Sequence, residues 1–296
     1  MRLRRRAAAR ASRMLIGLVG AVALLVASLV WTQSASAATT LVYATFKGDG
    51  AADQELWIYQ STNGGTSYNV LTDTNFRGPT GVLRDPSVIK YNNRYYAAYT
   101  VQSWTTNSTY FSIATSTDLY SWTNIANVPS GIASTRFTWA PEFYIEGGVV
   151  RIIASVAATN CTNCFRPYVY TAQNSALTSW SGPAQMWGLG FNHIDTYVWK
   201  AGSTWHAFTK NETTKYIEHW TTTASLTSGW VNRGTLFSAG HEGPSLVRLD
   251  NGQWRIYVDR YPSGGVWTAT SSDLWNWSSL SYVSCSGCRH GTALPR

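Results

Sequence analysis

Five short motifs with ionisable side chains recur along this chain at intervals of about 50 residues. They are RDPSV at 84–88, WAPE at 139–142, IDTYV at 194–198, HEGPSLV at 241–247 and RHGT at 289–292. The chain has only 15 Asp and Glu residues in all, yet Asp85, Glu142, Asp195 and Glu242 stand at the start of successive strand-like runs. We therefore predict that these four acids share one position of a repeat and act together.

Several carboxyl groups around one polar cleft have a clear chemical use in breaking a glycosidic bond. One protonates the leaving oxygen, and another acts on the anomeric carbon directly or through water. Close negative charges also separate the pKa values, so that one carboxyl group stays protonated while another is ionised. The acids thus indicate glycoside hydrolysis, whereas Asp118, Asp250 and Asp273 are interpreted as turn-forming or capping carboxylates.

Each of the first four motifs opens a unit of about four strands. A hairpin around an NN, GG, AGS or DNG turn comes first, and two outer strands around a Ser/Thr/Asp turn that ends in Trp follow it. Four strands repeated about every 50 residues are typical of a propeller blade. The sequence therefore predicts an all-β, five-bladed β-propeller, with a long β-sandwich as the alternative.

The two chain ends account for the fifth blade. Residues 41–46 and 55–71 resemble outer strands, while RHGTALPR at 289–296 resembles an inner strand without followers. Pairing of the two ends would close the ring and make 38–296 a single domain. Because the innermost strand of every blade runs beside the central channel, all five motifs are expected to meet at one end of it.

In their order and spacing, the five motifs resemble glycoside hydrolase family 43 over almost the whole of residues 38–296. The resemblance implies a five-bladed propeller that inverts the anomeric configuration. It implies that Asp85 is the general base, that Glu242 is the general acid, and that Asp195 orients the acid and tunes its pKa. Inversion predicts that the carboxyl groups of Asp85 and Glu242 lie about 6.5–9.5 Å apart, with room for a water molecule.

Other roles follow from the same resemblance. Trp139 and Glu142 are expected on the pocket floor, where Trp139 offers an apolar face to a sugar. Arg289 is expected to bind a ring hydroxyl, and His241 to stand at the pocket rim. His290 is expected to hold a water molecule or a cation at the axis, where some family members carry calcium. No other cofactor is expected.

The resemblance favours release of terminal α-L-arabinofuranosyl units from plant polysaccharides or oligosaccharides. The stretches FTKNE at 208–212 and YVDRY at 257–261 look like a branch that acts on furanosides. β-Xylosidase, galactofuranosidase and galactanase activities are alternatives on the same fold. A sugar-binding propeller without catalysis is another alternative, as is a retaining fructan hydrolase with its two carboxyl groups about 5–5.5 Å apart.

The N-terminus reads as a secretory signal over residues 1–37. A basic segment precedes an apolar run at 14–31, and SASA supplies small residues for cleavage near Ala37. A retained membrane anchor is the alternative, because the run approaches the length that spans a bilayer. Six of the eight net positive charges are leader arginines, and no basic cluster follows them, so nucleic acid is not an expected partner. We expect a secreted monomer that binds carbohydrate and leaves the membrane after cleavage.

The four cysteines form two close pairs. In an exported chain they predict local disulfides, Cys161–Cys164 and Cys285–Cys288, with a zinc site of all four thiolates as the alternative. With 15 Trp, 17 Tyr and only 13% charged residues, the composition suits an extracellular all-β protein with aromatic faces for sugar rings.

Overall fold

A computed structural model describes residues 39–159, 164–261 and 263–296. These residues form strands arranged in five four-stranded antiparallel sheets, which confirms the five-bladed propeller. No helix in the described ranges is long and apolar enough to cross a membrane. The predicted signal at 1–37 and Cys161 of the predicted Cys161–Cys164 disulfide lie outside the described residues.

Blades one to four each consist of four consecutive strands, written from the channel outward. Blade one contains β4 (Arg84–Tyr91), β5 (Arg94–Thr100), β6 (Tyr110–Ser116) and β7 (Thr123–Pro129). Blade two contains β8 (Thr135–Glu146), β9 (Val149–Ala158), β10 (Arg166–Ala172) and β11 (Trp180–Gln185). Blade three contains β12 (His193–Ala201), β13 (Thr204–Asn211), β14 (Ile217–Thr222) and β15 (Val231–Leu236). Blade four contains β16 (Glu242–Arg248), β17 (Trp254–Asp259), β18 (Val266–Ser271) and β19 (Ser281–Tyr282).

The fifth blade joins the two chain ends, as predicted. Its innermost strand is β20 (Gly291–Pro295), followed by β1 (Leu41–Thr45), β2 (Trp57–Ser61) and β3 (Asn69–Asp73). β20 pairs antiparallel with β1, so that Leu41 faces Pro295 and Thr45 faces Gly291. The innermost strands β4, β8, β12, β16 and β20 contact one another in turn and close the ring around the channel.

The outer hairpins of blades one and two show why the Ser/Thr/Asp turns end in Trp. In blade one, the indole N–H of Trp122 donates to the carbonyl of Leu119, whose φ is 74°. Trp180 makes the same bond to Leu177 in blade two. Each buried leucine packs into an apolar core that lies between neighbouring blades. The turn thus fixes the outer strands while its apolar residues contribute to the inter-blade core.

The disulfide Cys285–Cys288 is present, with a Cα–Cα distance of 5.5 Å. Both cysteines are buried, and the Tyr59 hydroxyl donates to the carbonyl of Ser286 between them at 2.6 Å. The bridge therefore braces the segment that leads into β20. Because these two sulfurs are bonded to each other, the alternative of a four-thiolate zinc site is wrong.

Candidate active site

Each innermost strand of blades one to four is interrupted by a β-bulge near its start. The pairing of β4 with β5 shifts between Arg84 and Ser87, and equivalent shifts occur in the next three blades. The bulges contain residues with left-handed backbone angles: Asp85 (φ 48°), Ala140 (44°), Asp195 (54°) and Gly243 (57°). Such conformations cost roughly 1–3 kcal/mol for most residues and gather at functional sites.

The bulge corrects the predicted alignment of the four acids. Asp85 and Asp195 do share the left-handed position. Glu242 precedes that position by one residue, and Glu142 follows it by two. The prediction of one common position is therefore wrong for both glutamates. A bulge re-aims the side chains around it, so acids from different positions can reach the same end of the channel.

A cavity of about 400 Å³ lies at this end of the channel. Its volume falls in the range of small-molecule sites, about 300–1,000 Å³. Six of the predicted site residues line it: Asp85, Trp139, Asp195, Glu242, Arg289 and His290. Nine further residues complete the lining: Asp49, Arg84, Thr100, Gln102, Trp104, Ile194, Lys210, Glu212 and Tyr261.

His290 lies at the centre of the acids and is buried. Its Nε2 is 3.3 Å from Glu142 Oε1, and its Nδ1 is 3.6 Å from Asp85 Oδ1 and 3.9 Å from Asp195 Oδ2. Burial alone would lower the pKa of His290, but Asp195, Glu142 and Asp85 outweigh burial and raise it to about 10. An imidazolium is therefore the stable form at neutral pH, and it holds the surrounding carboxyl groups together.

Glu142 lies behind His290 and is not part of the cavity lining. It is fully buried, and burial raises the pKa of its carboxyl group although His290 opposes that shift. Its Oε2 has no hydrogen-bond partner in the described structure. Glu142 therefore contacts His290 and does not line the cavity, in contrast to the prediction that it lies on the pocket floor.

Asp195 is buried and linked to blade four through the backbone. Its Oδ2 accepts a 3.0 Å hydrogen bond from the N–H of Gly243, the residue after Glu242. Burial raises the pKa of Asp195 to about 7, because the opposing effect of the cationic His290 is smaller. This carboxyl group can therefore exchange a proton near neutral pH while it fixes the backbone beside Glu242.

Glu242 contacts two cations on its two oxygens. Oε2 accepts from Lys210 Nζ at 2.7 Å, and Oε1 is 3.5 Å from Arg289 Nη2. Lys210 is itself buried and also lies 2.8 Å from Glu212. Burial disfavours its ammonium group, but Glu242, Asp195 and Glu212 outweigh burial and raise the pKa of Lys210. Glu242 is therefore held in one orientation at the cavity wall.

Asp259 is fully buried and anchors Arg289. Its Oδ2 accepts from Arg289 Nε at 2.7 Å and from the backbone N–H of His290 at 3.2 Å. Burial raises the pKa of Asp259 to about 6, although Arg289 opposes the shift. Arg289 is thus oriented by Asp259 and still faces Glu242.

Several of these residues were missed by the sequence analysis because they belong to second strands. Antiparallel pairing sets the end of a second strand beside the start of the first, and Lys210 pairs with Ile194 while Asp259 pairs with Glu242. Lys210 lies in FTKNE and Asp259 lies in YVDRY, the two stretches that resemble a furanoside-acting branch of the family. Reading each motif together with the end of the following strand would have found them.

Trp139 lies in an aromatic cluster at the cavity. Its ring centroid is 4.6 Å from those of both Phe137 and Phe165. Its indole N–H is buried without a hydrogen-bond partner in the described structure. An oriented aromatic ring with an unused donor is suited to a ligand that has an apolar face and a hydroxyl group.

The structure does not bring His241 into the cavity lining. It is buried, and its Nδ1 forms a 2.8 Å hydrogen bond with the carbonyl oxygen of Ser238. Burial lowers the pKa of His241. This histidine therefore stabilises the backbone that enters β16.

His290 is expected to hold a water molecule or a cation at the axis, and calcium is one possible occupant. Calcium takes six to eight oxygen ligands. His290 presents N–H groups to the nearby carboxylates when it is protonated. No group of three His, Cys, Asp or Glu side chains within the described ranges is arranged to hold a metal ion. We therefore derive no catalytic step through a metal.

Known structures share this fold at low sequence identity. A thermostable family-43 glycoside hydrolase superposes with a TM-score of 0.53 and 16% identity, over 73% of this chain and 76% of that one. An exo-β-1,3-galactanase from Clostridium thermocellum gives 0.55 and 15%, over 67% of this chain and 48% of that one. A family-43 enzyme from Xanthomonas citri complexed with xylotriose gives 0.54 and 11%, over 67% and 73%.

Sequence comparison identifies the family directly. No curated protein matches the chain. The family model described as "Probable glycosyl hydrolase domain", a relative of glycoside hydrolase family 43, matches residues 35–295. Since this match covers nearly the whole chain and the propeller agrees with it, the protein belongs to the family-43-related glycoside hydrolases.

Proposed function

We propose that this protein releases terminal α-L-arabinofuranosyl units, or related pentosyl or furanosyl units, from plant-type polysaccharides or oligosaccharides with inversion of configuration. The observation that supports the proposal is the convergence of Asp85, Asp195 and Glu242, with Trp139, on one cavity of about 400 Å³. Three carboxyl groups beside an aromatic ring meet the chemical needs of glycoside hydrolysis.

In the proposed reaction, Asp85 removes a proton from a water molecule as that water attacks the anomeric carbon. Glu242 donates a proton to the glycosidic oxygen as the carbon–oxygen bond breaks. The products are the free sugar and the shortened glycan, and the two carboxyl groups recover their starting protonation by exchange with water. Asp85 and Glu242 would act from opposite faces of the sugar, as inversion requires.

Asp195 and His290 would position these two groups. Asp195 holds the Gly243 backbone next to Glu242, and His290 lies between Asp85 and Asp195. Because both contacts lie within the buried interior, the carboxyl groups need little reorganisation when substrate binds. Arg289, oriented by Asp259, would bind a sugar hydroxyl or keep Glu242 in place.

The same machinery would serve a β-xylosidase, a galactofuranosidase or a galactanase. Structures of this fold include the enzyme with xylotriose and an exo-β-1,3-galactanase from Phanerochaete chrysosporium with β-1,3-galactotriose. Their identity to this chain is 11–13%, so they support the fold and leave the sugar to be found by assay.

A chromogenic screen tests the proposal. The 4-nitrophenyl α-L-arabinofuranoside, β-D-xyloside, β-D-galactofuranoside and β-D-galactoside are offered to the wild type and to Glu242→Ala. We expect turnover of the arabinofuranoside by the wild type and at least a hundredfold loss in the variant. A folded wild type that cleaves none of them would favour the non-catalytic sugar-binding alternative.

Proton NMR of the first-formed sugar tests the stereochemistry. An inverting enzyme releases the anomer opposite to that of the substrate, whereas a retaining fructan-hydrolase-like enzyme releases the same anomer. We also propose that the mature protein is secreted and monomeric and requires no cofactor. N-terminal sequencing of exported protein, light scattering and assays with a chelator test these three points.

A further inference from the structure

Trp104 lines the cavity and yet is 59% exposed to solvent. Burying a large apolar side chain stabilises a protein by removing its surface from water, and Trp104 leaves most of that contribution unused. Single exposed apolar residues are common on protein surfaces, so exposure alone does not indicate a site. The position of Trp104 at the mouth of the cavity that contains Asp85, Asp195 and Glu242 is the additional observation.

The loop between β5 and β6 holds Trp104 from two fixed ends. At one end, the carbonyl of Val101 accepts a 2.6 Å hydrogen bond from the hydroxyl of Thr80. At the other, Ser108 is buried and donates its backbone N–H to the carbonyl of Arg136 at 2.8 Å. A loop that is already ordered loses little conformational entropy when its aromatic ring meets a ligand.

The aromatic residues of the cavity differ in their exposure. Trp139 and Tyr261 are both partly buried, and each is engaged by the protein. Trp139 packs on Phe137, and the Tyr261 ring lies 4.3 Å from the ammonium of Lys210. Trp104 is the most exposed of the three, which places it at the rim.

A sugar whose anomeric carbon lies among the acids must occupy the inner part of the cavity. The next sugar of the glycan, which departs when the bond breaks, must then extend towards the mouth. The C–H face of a sugar ring is apolar and complements an indole ring. The rim tryptophan and the departing sugar are therefore suited to stack on each other.

We propose that Trp104 forms a binding subsite for the leaving sugar and selects glycan chains over small leaving groups. This inference rests on the proposed glycosidase function. Binding energy outside the reacting centre contributes to the rate only when a leaving sugar is present to use it. Trp104 is thus a specificity-determining residue, and it takes no part in proton transfer.

The experiment compares Trp104→Ala with Trp187→Ala. Trp187 is the matched control, because it is 63% exposed but does not line the cavity. Three measurements are made with the sugar that the wild type releases: kcat/KM for its trisaccharide, kcat/KM for its glycosyl fluoride, and the inhibition constant of the free monosaccharide. The fluoride has a single-atom leaving group, and the monosaccharide reports on the inner subsite alone.

For Trp104→Ala we expect a roughly 10- to 100-fold loss of kcat/KM on the trisaccharide, because the leaving sugar loses its apolar contact with the indole ring. The fluoride and the monosaccharide should keep their wild-type values, and Trp187→Ala should match the wild type throughout. An equal loss on trisaccharide and fluoride would overturn the proposal, and so would no loss on the trisaccharide.

Failure of the proposed glycosidase function would be seen separately, as a folded wild type with no turnover of any substrate. Calorimetric binding of arabinotriose, xylotriose and β-1,3-galactotriose to the wild type and both variants then tests Trp104. Weaker binding to Trp104→Ala alone would support a sugar-stacking role. Unchanged affinity, or no binding to the wild type, would refute it.

Discussion

The backbone N–H of Gly243 donates a 3.0 Å hydrogen bond to Asp195 Oδ2, so an acid of blade three holds the residue that follows Glu242 of blade four. The same Asp195 oxygen lies 3.9 Å from the cationic His290. One buried carboxyl group thus connects the central cation to the strand that carries the proposed general acid. Asp195 therefore has two distinct roles: its oxygen fixes the backbone of Gly243, and its charge stabilises the cationic His290.

Asp195→Asn should keep the first contact and lose the second. The amide oxygen can still accept from Gly243, but the side chain no longer carries a charge next to His290. We expect kcat to fall at least about a hundredfold, with an unchanged near-ultraviolet circular dichroism spectrum. Asp250→Asn, which alters an exposed turn, is the control. Wild-type kcat in Asp195→Asn would remove the charge of Asp195 from the mechanism.

Gly243→Ala should damage both the fold and the activity. Gly243 has a φ of 57°, and an added Cβ would overlap the ring of His290. Gly147 also has a φ of 57° but has open space around it. The left-handed backbone alone costs about 1–2 kcal/mol in either alanine variant. The overlap should add about 1–3 kcal/mol at Gly243 only.

Urea unfolding and kcat measurements on the two glycine variants check this prediction. We expect Gly147→Ala to be slightly less stable and fully active. Gly243→Ala should be clearly less stable and should lose most of its turnover, because His290 must move. Equal losses of stability in the two variants would show that the His290 ring yields to the new methyl group.

The bulge also explains which features of the fold and the site could be predicted from the sequence. The repeat of short motifs and hairpins was enough for the blade count and the shared fifth blade, since strand periodicity and turns are local signals. The prediction that the four acids share one position was wrong, because a bulge inserts a residue without any change in local composition. Aligning Pro86, Pro141 and Pro244 would have revealed the offset between Asp85 and Glu242.

The side chains that contact the acids were harder to predict from the sequence. Lys210 lines the cavity, and Asp259 lies behind Arg289, only because the second strand of each blade returns to the same end. The cationic state of His290 depends on three carboxyl groups from three other blades. Such long-range electrostatics follows from the three-dimensional arrangement, which motif spacing does not specify.

His290 should remain protonated well above neutral pH. The pKa of His290 is raised to about 10, whereas burial lowers that of His206 to about 4. Nitrogen-15 NMR of the imidazole rings reports each protonation state. We expect a charged-imidazole signal at pH 8 that is absent from the spectrum of His290→Gln, and a neutral His206 at pH 5. Titration of His290 below pH 7 would contradict this arrangement.

The stacked pair of His206 and His219 should make the fold sensitive to acid. Their ring nitrogens are 3.0 Å apart, and burial lowers the two pKa values to about 4 and about 3. In the unfolded chain both titrate near 6.5. Below that pH the unfolded state therefore binds protons that the folded state does not bind. The contribution of this pair to stability thus falls as the pH approaches 4.

Urea unfolding of the wild type and of His206→Gln at pH 7 and pH 5 measures this loss, which should be on the order of 1 kcal/mol for each histidine. Asp195 and Asp259, whose pKa values burial raises to about 7 and about 6, change stability in the opposite direction in both proteins. His206→Gln cannot titrate, so the wild type should lose more stability, or gain less, than this variant between the two pH values. The same pH dependence in both proteins would assign the acid sensitivity to other groups.

Lys210→Met should lower both the stability and the turnover of the protein. Lys210 is buried between Glu242 and Glu212, at 2.7 and 2.8 Å, and its loss leaves two acids without their shared cation. Breaking a buried ion pair from one side costs about 3–5 kcal/mol. Lys215→Met is the control, because the Lys215 side chain is 40% exposed, compared with 3% for Lys210, and also pairs with Glu212.

A double variant, Lys210→Met with Glu212→Gln, separates the two effects of this lysine. Removing the second charge should recover part of the stability, since only Glu242 then lacks its partner. Turnover should stay at least tenfold below wild type, because nothing holds Glu242 Oε2 towards the cavity wall. Urea unfolding and kcat/KM on the preferred glycoside measure the two quantities in the same preparations. Recovery of activity together with stability would mean that Lys210 acts on the fold alone and does not position Glu242.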